Sequence, residues 1–219
     1  MPAHEGEAAP IASNASDSEQ VRASDAAPSA DELMPFVELA RLYAAGALTA
    51  LSHEEWRRFE ALAEEPLALR DPALAHIVER TARPDARDAE TFPYAFNRLF
   101  VGPDRLLAAP YETVHVSGSR TLMQRETLAV RACYRAEGFE PRALNAQPDD
   151  HLAFELGFLV KLLERDDERA REAFRAFMRD HLGRWGEDHT REVREHADNG
   201  ICLAFADLLD RVIALCRQR

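Results

Sequence analysis

From about Asp31 to Leu215 the apolar residues of this chain recur at intervals of three and four. No stretch shows the alternation of period two that a half-buried strand requires. The clearest stripe is Leu152, Leu156, Leu159, Leu162 and Leu163, on one side of a helix expected over about Asp150 to Arg165. A stripe of that kind has to be covered by other helices, so the fold class is all-α, a single-domain helical bundle. Residues 1–30 stand apart: they are rich in Ala, Ser, Asp, Glu and Pro and hold little that can be buried. Burial there cannot offset the entropy of ordering, so a disordered N-terminal tail is expected, followed by one helical domain over residues 31–219.

Local signals divide that domain. A first helix runs from about Asp31 to Ala45 and stops at Gly46, and Ser52-His53-Glu54-Glu55 is a capping box opening a second that carries Trp56, Phe59 and Leu62. A weaker helix follows Asp71-Pro72, and another runs from about Asp88 to Gly102-Pro103. Asp104 to Ser119 reads as an irregular loop, too apolar at Leu106, Leu107, Pro110, Tyr111 and Val114 to float free of the helices. Helices are then expected over about Arg120 to Glu137, over Asp150 to Arg165, from Asp167 through Leu182 to Trp185, and from Thr190 to Leu215.

Charge and cysteine usage exclude whole classes of function. With 39 acidic and 27 basic residues the formal charge is -12, which repels a phosphate backbone and draws in a cationic segment. Cys133, Cys202 and Cys216 lie far apart, with no Cys-x-x-Cys pair and no Cys/His spacing of a zinc or iron–sulfur site, so reduced thiols in a cytoplasmic protein are expected. No run approaches the ~18 apolar residues of a membrane span, and the N-terminus is acidic where an export signal is basic. His115, His181, His189 and His196 look scattered, in solvating or capping roles.

Function concentrates at Pro148-Asp149-Asp150-His151. The two aspartates stand where a helix leaves its first amides unpaired, and capping would account for them. Capping does not account for Glu155, which falls inside the apolar stripe and needs a partner: His151 one turn earlier, an arginine such as Arg131, or backbone amides. Three readings stay open on these residues: a structural polar network, a binding site, and a metal or catalytic site built from Asp149, His151 and Glu155. The two-histidine helical zinc motif, the nucleophile elbow and the phosphate-cradling loops are all absent.

Five ordered segments carry a resemblance. They are Phe96-x-x-Leu99-Phe100-x-Gly102-Pro103, Pro110-Tyr111-Glu112-Thr113, Thr127-Leu128-x-Val130-Arg131-x-x-Tyr134-x-x-x-Gly138, Pro148-Asp149-Asp150-His151-Leu152-x-x-Glu155-Leu156 and Phe177-x-x-x-His181-Leu182-x-x-Trp185. Together they resemble the TorD/DmsD family of redox-enzyme maturation chaperones over about residues 31 to 215. The resemblance implies a cytoplasmic chaperone that binds the twin-arginine signal peptide and the apo form of a molybdenum-cofactor oxidoreductase until the cofactor is inserted. It implies no catalytic residue, no metal and no resident cofactor, and a monomer or a dimer that swaps elements about Asp104 to Ser119. The expected peptide contacts are Phe96, Leu99, Phe100, Pro110, Tyr111, Glu112, Asp149, Asp150 and His151, with Arg131 and Glu155 in a structural polar network. Leu99 and Phe100 read equally well as core. The alternative is a metal-dependent or nucleotide-hydrolysing enzyme using Asp149, His151 and Glu155.

Overall fold

The computed structural model describes residues 26–103, 105–117, 122–140 and 147–219, so most of the expected tail, residues 1–25, lies outside the described residues. Helix α1 (Ala30–Ala44) starts one residue ahead of its expected position because Ser29 caps it. The Ser29 hydroxyl accepts from the Glu32 amide at 3.3 Å, and the Glu32 carboxylate accepts from the Ser29 amide at 2.9 Å. Ser52 opens α2 (His53–Trp56) by the same device. From Arg57 to Glu64 the chain tightens into a 3-10 helix where a continuing α-helix was expected. Three-residue spacing sets Trp56 and Phe59 on one side of such a helix, and both are buried with rings 5.9 Å apart.

Helices α3 (Pro66–Arg70) and α4 (Pro72–Ala82) each begin at a proline, which forfeits no intrahelical bond there, and α5 (Ala86–Phe100) begins under an Asp85 cap. The stretch read as an irregular loop holds one short helix, α6 (Glu112–Val116). Next come α7 (Arg125–Ala136), shorter than expected and preceded by residues 118–121 outside the described residues, and α8 (Leu152–Arg165). The last third is divided differently from the expectation. α9 (Glu168–Asp180) ends at His181, α10 (Leu182–His196) begins at once, and α11 (Gly200–Cys216) starts under Asn199, whose side chain accepts from the amides of Ile201 and Cys202. The break falls at His181 because that residue leaves helical geometry (φ -127°, ψ -104°) and its ring turns to Glu112.

No strand forms among the described residues, and no described helix is long and apolar enough to cross a membrane. α1 packs along α8, α11 packs against α1, α4, α5 and α10, and α9 lies between α8 and α10. One aromatic cluster fills the centre of this arrangement: Tyr43 stacks on Phe205 with centroids 4.0 Å apart and meets Phe92, Phe96 and Phe100. The Phe96 ring also explains Gly46. That residue takes φ 69°, and a Cβ there would stand 3.1 Å from the ring, so both backbone and packing favour glycine.

Candidate functional site

The segment Pro110-Tyr111-Glu112 is fastened to Asp150-His151-Leu152 by main-chain bonds. The Glu112 amide donates to the Asp150 carbonyl at 3.0 Å, the Leu152 amide donates to the Pro110 carbonyl at 2.9 Å, and Tyr111 and His151 form an isolated antiparallel bridge. Their rings meet edge to face, 5.0 Å apart at 83°. The strap is held at its other end by the Ala108 amide donating to the Leu99 carbonyl. Two motifs far apart in sequence thus share one surface.

The aspartates do not cap α8 as expected. His151 is its N-cap, and Nδ1 accepts from the Ala153 amide at 3.1 Å, which leaves the ring proton on Nε2. Burial lowers this imidazole to about 4, against an opposing pull from Asp150, so it is neutral near pH 7. Asp150 reaches instead to α6. Its carboxylate accepts from the Thr113 amide at 2.9 Å and from the Thr127 hydroxyl at 2.8 Å, a cap supplied from 37 residues away. Asp149 is paired with Arg131, and its carbonyl accepts from the Tyr134 hydroxyl at 3.0 Å. All three side chains are buried.

Glu155, expected to pair with His151 or Arg131, meets neither. Its Oε2 accepts from the Trp185 indole at 3.2 Å. Complete burial, reinforced by the charge of Glu112, raises the Glu155 carboxyl well above the usual range and favours the protonated form. Glu112 is equally buried and accepts from His181 Nδ1 at 2.9 Å, while His181 Nε2 lies 3.5 Å from Cys133 Sγ. Burial alone would lower His181, but its bonds to Cys133 and Glu112 and the charge of Glu112 outweigh it and lift the ring to about 10. Three of the four histidines that looked scattered, His115, His181 and His189, therefore converge, while His196 stays exposed at the end of α10. His115 stacks on Trp185 at 5.3 Å, and both His115 and His189 hydrogen-bond the Ala109 carbonyl, at 2.8 Å and 3.2 Å. Burial, then the neighbouring His115, lowers His189 to about 3.

Where the expected contacts lie is equally specific. Leu99 is 0% exposed, and Phe96 and Phe100 belong to the central aromatic cluster. Pro110, Glu112, Asp149, Asp150 and His151 are buried, and Tyr111 alone is half-buried. Each carboxylate of the set already serves the fold through at least one oxygen, so an incoming cation would have to compete with Arg131, His181 or the cap on α6 everywhere except at Glu112 Oε1, which is buried without a hydrogen bond. Sequence reasoning missed His181, Trp185, His115 and His189 as one network with Glu112 and Glu155. No local spacing signals it, because His181 leaves helical geometry and its ring meets Glu112 while Trp185 donates to Glu155. Asp149, His151 and Glu155 do not assemble into a hydrolytic centre, since their side chains engage Arg131, the Ala153 amide and Trp185 respectively. Among the described residues no group of three His, Cys, Asp or Glu could hold a metal ion.

The family model described as nitrate reductase delta subunit matches residues 61–191 of the chain, more than half of its length. The "Tat proofreading chaperone DmsD" of Salmonella typhimurium is 27% identical over 165 residues, covering 75% of this chain and 74% of its own. The protein of the same description from Salmonella typhi is 26% identical over the same share of each. The "Chaperone protein TorD" of Vibrio parahaemolyticus is 28% identical over 156 residues, 67% of this chain and 71% of its own.

Proposed function

The chain belongs to the nitrate reductase delta subunit family, in its TorD/DmsD group of chaperones, and from that premise we propose that it is a maturation chaperone rather than an enzyme. It binds the twin-arginine signal peptide and the apo form of a molybdenum-cofactor oxidoreductase in the cytoplasm and holds the precursor until the cofactor is in place and export can begin. The likeness to Tat proofreading chaperones over three-quarters of the chain carries the reading.

The geometry supports a binder. A signal peptide of this kind has a cationic head and an apolar helical body, and such ligands are taken up on preformed apolar surfaces bordered by carboxylates. Tyr111, held against His151, offers the half-buried aromatic surface of the strap. Asp149, Asp150 and Glu112 fix that surface in place, and Phe96, Leu99 and Phe100 support it from the core. To test the reading, affinity-tagged full-length chain is expressed in its native host and the captured proteins are identified with their N-termini. The expected capture is a molybdoenzyme precursor with its signal still attached. Capture of mature enzyme alone, or of no precursor, counts against the proposal.

A further inference from the structure

A groove of about 760 Å³ runs between α1 and α8 and is bounded at one side by the turn after α7. That volume lies within the range of sites that take up small ligands or a row of side chains, roughly 300–1,000 Å³. Its apolar lining comes from Met34, Pro35, Phe139, Phe154 and Val160. Gly157 leaves the floor open: a Cβ there would meet only Arg41 Cδ, at 3.4 Å, an ordinary contact. Pro35 has no amide hydrogen, so the Asp31 carbonyl has no helical donor one turn on and stays available as an acceptor near this wall.

The rim is charged, and its two cations are already held. Arg41 is clamped by Glu38 at 2.6 Å and Lys161 by Glu164 at 2.6 Å. Glu140, also on the rim, is exposed and has no ion-pair partner among the described residues. The groove therefore presents a net negative edge over an apolar floor in a chain of formal charge -12, which is complementary to an apolar segment with cations at one end. It is also continuous with the strap. The Phe154 ring in its wall lies 5.8 Å from His151, and His151 lies 5.0 Å from Tyr111.

We propose that this groove receives the apolar helical body of a twin-arginine signal peptide, with Glu140 placed to meet its cations and Tyr111 and His151 at the end of its path. The proposal rests on the chaperone reading above and adds a place for the apolar body, where that reading names only the Tyr111 strap. An amphipathic helix laid between α1 and α8 would be bound as helices are bound in apolar grooves, by side chains one turn apart entering the open floor at Gly157.

The test titrates full-length chain into a fluorescent synthetic peptide with a two-arginine head and a leucine- and alanine-rich body, following polarisation. Wild type is compared with Gly157→Trp, which fills the floor, and with Glu140→Lys. Val160→Glu repeats the floor test should Gly157→Trp fail to fold, and thermal unfolding of each variant checks folding. The expected result is binding by wild type, a loss of roughly tenfold or more in Gly157→Trp and Val160→Glu, and a weaker, less salt-sensitive affinity in Glu140→Lys. Equal binding by wild type and a folded floor variant overturns the groove and leaves the chaperone reading standing. No binding by wild type overturns both. Sedimentation of the same samples covers the other occupant. A floor variant that loses self-association but keeps the peptide assigns the groove to a second copy of the chain and overturns the proposal.

Discussion

Replacing Asp150 with alanine removes the acceptor from two buried donors, the Thr113 amide at 2.9 Å and the Thr127 hydroxyl at 2.8 Å. A stranded buried donor costs about 1–3 kcal/mol. The amide has no alternative at the start of α6, whereas the hydroxyl can turn to Thr113 Oγ1, 3.1 Å away, and so falls at the low end. Their sum is about 3 kcal/mol, which for a domain of this size lowers Tm by roughly 6–12 °C. Asp150→Asn keeps an oxygen for the Thr113 amide and offers its NH2 to the Thr127 hydroxyl. It therefore costs only about 1 kcal/mol, or roughly 2–4 °C. Thermal unfolding followed by circular dichroism measures both, and hydrogen exchange over residues 108–117 is expected to rise selectively in Asp150→Ala. Asp150→Ala melting within about 2 °C of wild type, or Asn as damaging as Ala, refutes the capping argument. An Asp150→Ala chain of normal stability that no longer binds peptide would make Asp150 a contact group instead.

Other outcomes follow from the same contacts. His151 and His189 have folded pKa values of about 4 and about 3, below the unfolded 6.5, so their contribution is present above pH 6.5 and is lost as pH falls toward 3. His181 is raised to about 10, so its contribution is present below pH 6.5 and is lost as pH rises through 10; urea unfolding across pH 4 to 10 should show both losses, the alkaline one absent in His181→Gln. Because burial favours the neutral form of Glu155, Glu155→Gln at pH 8 is expected to match or exceed wild-type stability in urea. Trp185→Phe, which removes the donor to Glu155, should lose about 1–3 kcal/mol in the same assay. Leu99→Ala should cost about 2–5 kcal/mol by urea unfolding as a cavity in the core, and a cost under about 1 kcal/mol would contradict its place there.

Much of the helical architecture was legible because its determinants are local. The Ser52 capping box, the Asp71-Pro72 start and the left-handed Gly46 can all be read from a few neighbouring residues, and all stand where the sequence places them. Division of the last third was not legible, because the break at His181 coincides with a bond from its ring to Glu112, which is 69 residues away in the chain. The site failed in the same way. Periodicity showed that Glu155 was buried and needed a partner, and the one-turn rule nominated His151, but the native donor is Trp185 on another helix. Asp149 and Asp150 looked like caps for the helix that follows them, and only the folded chain places them on Arg131 and on α6. Long-range polar contacts leave no periodic trace, so residues that unite the site appear in sequence as isolated histidines and carboxylates.

Recognition of a precursor through its twin-arginine signal is read out by calorimetric titration. Full-length chain is titrated with the signal peptide of the molybdoenzyme precursor it captures, and with the same peptide carrying glutamine at both arginines. Saturable binding of one peptide per chain is expected, clearly weakened when the arginines are replaced. Absence of heat and of binding for the intact peptide, together with no binding of the full precursor, would contradict it.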